Sequence, residues 1–183
     1  MSTRCQLRFT DEKTDRVAQV YRHSDGYPEG IIPLLEHLQE LLHATGTHRD
    51  SGYVAAQFIL VDKLRYIERT FGCEDEPYSD LPDAVEGVLE PQSWDGLNQT
   101  PSYLLSHGVE DPSYGIHGDE EYLYVVGLQS AGPLKDPDDW EIKISEHRGF
   151  PRWDGPTEDA FEVADWQFEG TLAKAVEKWG KEV

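Results

Sequence analysis

Residues 4–9 alternate, with Cys5, Leu7 and Phe9 opposed to Arg4, Gln6 and Arg8, the period of a strand with one buried side. The pattern resumes over 16–22, where Ala18 and Val20 oppose Val17, Gln19 and Tyr21, and the polar connection 11–15 predicts a hairpin. Ile31, Leu34, Leu35, Leu38, Leu41 and Leu42 then recur at helical spacing. A second helix is predicted over 53–70, capped by Asp50 or Ser51 and stopped at Gly72. Its stretch 54–61 is apolar nearly all round, which predicts deep burial.

The character then changes. Residues 73–113 mix prolines with acids, Ser and Gly and keep no period, so they read as a long excursion with one short helix near 84–89. Strand signals return at 122–128, apolar on both sides as in a central strand covered on both faces. Trp140, Ile142 and Ile144 alternate inward, and the acidic turn 135–139 makes a hairpin of the two runs. A short strand at 161–163 and a helix carrying Phe168, Leu172, Ala175, Val176 and Trp179 complete the pattern. The expectation is a single α+β domain over 1–183, with an antiparallel sheet of four to five strands packed with about three helices.

Composition adds an environment. The 36 acids against 16 Lys and Arg give a formal net charge of -20. Such a surface repels nucleic acid and anionic membranes. Its self-repulsion is screened near 1 M salt, where the Debye length is about 3 Å, so a salt-rich cytoplasm is the expected setting. Acids lie in almost every segment, which favours solvation over imitation of a nucleic-acid backbone. Cys5 and Cys73 form neither a disulfide framework nor a zinc motif. No apolar signal segment or membrane-length run is found.

The richest stretch is Tyr21-Arg22-His23-Ser24-Asp25-Gly26-Tyr27-Pro28-Glu29-Gly30, between a strand and a helix. Loops at such junctions present side chains together with helix N-terminal amides. Arg4, Tyr21, His23, Asp25 and Tyr27 are therefore the candidate ligand-binding residues. His23 and Asp25 suit a base with its orienting carboxylate, a metal pair, or ligand hydrogen bonding. Turn chemistry explains the same residues: Asp25-Gly26 as a tight turn, Tyr27 as packing, and Pro28 as a helix start. A second H-x-D, His117-Gly118-Asp119, precedes the strand at 122. If the two loops met, His23, Asp25, His117 and Asp119 would hold a divalent transition metal such as Zn, Mn, Fe or Ni. His37 and His43 read as solvated, and no phosphate-cradling glycine motif or G-x-S-x-G elbow occurs.

Through Ser2-Thr3-Arg4 and Tyr21-x-His23-x-Asp25-Gly26-Tyr27-Pro28, the chain resembles a family of small proteins of phages, prophages, plasmids and bacterial and salt-loving archaeal genomes. A looser similarity runs through 117–124. The resemblance implies a shared small α+β fold and carries no activity, cofactor or catalytic residue. Arg22 stands where phage members commonly have Cys, which argues against a thiol-dependent role for this loop.

Three functions remain open from the sequence. One is a non-enzymatic domain binding a small molecule or protein partner through the 21–30 loop. Another is a metal-dependent hydrolase using both H-x-D pairs, and the third is an acidic nucleic-acid-mimicking inhibitor.

Overall fold

The computed structural model describes residues 3–11, 15–47, 49–71, 107–116, 120–128, 140–146, 161 and 164–180. Strands β1 (Cys5–Asp11) and β2 (Arg16–Arg22) form the expected hairpin, in full antiparallel register from Cys5 opposite Arg22 to Asp11 opposite Arg16. Helices α1 (Pro28–Thr45) and α2 (Ser51–Phe71) follow. Pro28 occupies the first turn of α1, where its missing N–H costs nothing. Gly46 ends that helix in the left-handed region (φ 62), and its N–H bonds the His43 carbonyl. Of the two candidate caps for α2, Asp50 serves: its Oδ1 accepts from the Tyr53 N–H at 3.0 Å.

Strands β3 (His107–Glu110), β4 (Tyr122–Leu128), β5 (Trp140–Glu146) and β6 (Phe168–Thr171) join the first two in a six-stranded sheet of order β3-β2-β1-β4-β5-β6. A 3₁₀ turn (Pro112–Tyr114) follows β3, and helix α3 (Leu172–Trp179) follows β6. The architecture is α+β, with three helices and a mixed sheet.

Two features correct the expectation. The β1–β4 pair is parallel, from Cys5 opposite Tyr122 to Asp11 opposite Leu128. The long path through β2, both long helices and β3 supplies the crossover that a parallel pair requires. The strand count rises to six because two short strands carry no alternation. β3 reads His-Gly-Val-Glu and closes the segment expected to be irregular. β6 occupies the first turn of the expected C-terminal helix, because the Thr171 hydroxyl caps the Lys174 N–H and starts the helix at Leu172. Phe161 lies in a turn rather than a strand. The helix near 84–89 and the turn at 135–139 fall outside the described residues.

One sheet face carries Cys5, Leu7, Phe9, Val20, Tyr124, Val126, Leu128, Trp140, Ile142 and Ile144, all buried in one cluster with α1, α2, Leu172 and Ala175. The other face is covered by a smaller group: Ile116, Leu123 and Phe161, with Val125, Ala164 and Trp166 packed against it. β4 is thus central and covered on both sides. α2 departs from the expected deep burial. Val54, Ala55, Phe58 and Val61 face the core, but Leu60 is 50% exposed, because a helix lying on a sheet buries one side only. Among the described residues no helix is long and apolar enough to cross a membrane.

Candidate functional site

The 21–30 loop is pinned to the start of β1. The Gly26 N–H donates to the Thr3 carbonyl at 2.9 Å, and the Gly26 carbonyl accepts from the buried Tyr124 hydroxyl at 2.7 Å. A Cβ on Gly26 would stand 2.8 Å from the Cys5 Cβ and 2.9 Å from the Arg4 carbonyl carbon, so only glycine permits this approach. Asp25 has a left-handed backbone (φ 54), which aspartate tolerates better than most residues. Its side chain is exposed, while its carbonyl accepts from the Arg22 guanidinium. The Tyr27 carbonyl accepts the first helical bonds of α1, from Gly30 and Ile31, and the residue is 39% exposed.

Of the five candidate ligand residues, Asp25 and Tyr27 therefore shape the turn and the helix start. Tyr21 and His23 are brought together instead. The Tyr21 hydroxyl and His23 Nδ1 share a hydrogen bond at 2.8 Å, and both side chains are half-buried. Arg4 lies one residue before the Cys5–Arg22 pair, and its carbonyl accepts from the Glu121 and Tyr122 N–H groups at 3.0 and 3.3 Å. The loop holding the first H-x-D and the residues following the second are thus tied to adjacent positions, Thr3 and Arg4. His117 and Asp119 lie outside the described residues. Among the described residues no group of three or more His, Cys, Asp or Glu is placed to hold a metal ion.

Sequence reasoning missed a buried ionic cluster on the helix-covered face. Asp62 of α2 accepts from Arg22 through both carboxylate oxygens, at 2.5 Å from Nε and 2.9 Å from Nη2. His107 Nε2 of β3 stands 2.8 Å from Asp62 Oδ2. The imidazole is 3% exposed and Asp62 11%, and the Phe58 ring meets the imidazole edge-on at 6.2 Å. Burial works to raise the Asp62 carboxyl, but the hydrogen bond to His107 and the charge and hydrogen bonds of Arg22 outweigh it and hold the group below its ordinary value. Burial works to lower the Arg22 guanidinium, and Asp62 reverses that too. Signals for two members were visible: Asp62 is a lone acid within Phe-Ile-Leu-Val-Asp, and Arg22 has the inward parity of Ala18 and Val20. His107 gave none.

Cys5 sits opposite Arg22 in the register, and burial pushes its thiol far above the ordinary value. A thiol so held is no nucleophile.

A second polar network occupies the other face. The Gln6 and Gln19 side-chain amides both donate to Glu110 Oε2 and to the Gly115 carbonyl. Arg8 donates to Gln19 Oε1 at 2.8 Å and to the Pro112 carbonyl at 3.0 Å, with its guanidinium 3.8 Å from the centre of the Phe161 ring. Gly115 (φ 71) takes a conformation that favours glycine and presents the shared carbonyl.

Compared with known proteins, this chain matches no family model, no curated protein and no solved structure.

Proposed function

We propose that this chain is a non-enzymatic binding domain that takes a small molecule on the sheet face away from the helices, at Tyr21 and His23 with Arg4 beside them. The observation that carries the reading is the Tyr21–His23 hydrogen bond, which holds two half-buried, chemically versatile side chains between loops tied to Thr3 and Arg4. A hydroxyl bond at Nδ1 fixes ring orientation in advance, so less order is lost when a ligand binds.

The best acid–base pair, His107 with Asp62, supports a role other than catalysis. It is closed from solvent and engaged with Arg22, and the Cys5 thiol is sealed in the core. The acidic surface fits a salt-rich cytoplasm.

A thermal-shift screen of small anions, amines and uncharged molecules tests the reading in multimolar KCl. A stabilising hit should lose its effect in Tyr21→Phe and His23→Ala. Hits indifferent to both substitutions, or no hit across the panel, would end it.

The metal reading keeps one supporting observation. Ligating histidines are commonly oriented by a hydrogen bond at the other ring nitrogen, as His23 is by Tyr21. Stoichiometric zinc, manganese, iron or nickel in purified protein, lost in His23→Ala, would favour it. Metal-free protein that does not take up these ions on dialysis would exclude it.

A further inference from the structure

Gln6 is fully buried, yet its side-chain carbonyl oxygen has no hydrogen-bond partner. Its orientation is forced. Gln6 Nε2 donates to the Glu110 carboxylate and the Gly115 carbonyl, so a flipped amide would set oxygen against two oxygen acceptors. Gln19, bonded to the same two acceptors, shows the complete arrangement, because its own oxygen receives Arg8 Nε. An unmet buried acceptor is destabilising, and native proteins keep few of them.

We propose that Gln6 Oε1 is the anchoring acceptor of a binding site for an uncharged, largely apolar molecule carrying one N–H or O–H donor. The inference rests on the reading that this face of the sheet is the binding face, and it names the ligand class. Gln6 faces Tyr21 across one neighbouring strand and Leu123 across the other, so in the register it stands between the Tyr21–His23 pair and Leu123 of the small apolar group with Ile116 and Phe161. The open acceptor is a neutral amide oxygen, so it calls for a hydrogen-bond donor rather than for a charge. Among the described residues the apolar cover is Ile116, Phe161, Ala164 and Trp166, none of them in a helix or strand. Cover of that kind opens at lower cost than a core element.

A matched pair of probes, indole and 1-methylindole, differs in the single N–H donor. The whole chain is titrated with each in multimolar KCl while the Gln6 side-chain amide and the His23 ring are followed by NMR. Indole should shift the Gln6 signals saturably and bind about tenfold more tightly than 1-methylindole, the factor one lost hydrogen bond near 1.4 kcal/mol produces. Equal affinities, absence of binding, or a crystal structure showing only an ordered water at Gln6 Oε1 would overturn the proposal. Shifts at His23 without shifts at Gln6 would overturn it while leaving the Tyr21–His23 site standing. Panel hits indifferent to Tyr21→Phe and His23→Ala would remove that site instead.

Discussion

Replacing Asp62 by Asn removes one charge from the most enclosed ionic cluster among the described residues. Asp62 takes two hydrogen bonds from Arg22 and one from His107, and the Arg22 and Asp62 side chains are each only 11% exposed. The substitution leaves a buried guanidinium facing a neutral amide. Breaking a buried pair from one side costs about 3–5 kcal/mol. Asn keeps one acceptor oxygen and the site is not wholly dry, so the lower end, about 3 kcal/mol, is expected.

Most of that cost is the stranded charge rather than the lost attraction. Asp62→Leu combined with Arg22→Met should therefore recover to within about 1 kcal/mol of the parent. Urea unfolding of the parent, both single variants and the double variant at one KCl concentration gives the cycle. The exposed Arg16–Asp50 pair, at 65% and 37% side-chain exposure, serves as the control and should couple by less than about 1 kcal/mol. A loss below about 0.5 kcal/mol in Asp62→Asn, a value typical of surface changes, would refute the picture of a closed cluster. A double variant as unstable as the sum of the singles would refute the stranded-charge account.

The sign of the pH dependence follows from the same carboxylate. Its folded value lies below the ordinary 3.8, so its stabilisation is complete above that pH and fades as pH falls through the folded value. The stability gap between parent and Asp62→Asn should accordingly narrow on acidification below 3.8, read from urea midpoints. Gly26→Ala should cost about 1–3 kcal/mol by overpacking against backbone that cannot shift, measured as a lowered thermal midpoint. With a net charge of -20, the unfolding midpoint should rise between about 0.1 M and multimolar KCl as repulsion is screened, and a flat response would undercut salt adaptation. In a Cys73→Ser variant, Cys5 should resist thiol reagents until the chain unfolds, since the thiol is buried and disfavoured as thiolate.

The parts of the fold legible in the sequence are those whose apolar residues keep a period toward one surface. In β1, β2, α1 and β5 the apolar residues alternate or recur toward the helix-covered core, so that part of the pattern agrees with the structure. The other face of β1 and β2 is closed as well, by buried Gln6 and Gln19, where the pattern implied one buried side. β3 and β6 are four residues each, too short to show a period, and each is fixed by its neighbour: β3 by the backbone of β2, β6 by β5 and the Thr171 cap. The parallel pairing of β1 with β4 leaves no local trace at all, because it depends on where the chain returns after its helices.

The candidate site divides along the same line. Asp25, Gly26, Tyr27 and Pro28 were expected either to bind or to build a turn, and the geometry gives each of them work in the turn. That frees the reading of Tyr21 and His23, whose mutual hydrogen bond the turn does not require. The two buried networks show what composition conceals. In a chain with 36 acids, Asp62 and Glu110 organise two polar networks among the described residues, one on each face of the sheet, and each is met by side chains from strands far away in sequence. A surplus of surface carboxylates hides such residues among their neighbours. What distinguishes Asp62 is the apolar run around it, and what distinguishes Glu110 is visible only once β3 is laid beside β2.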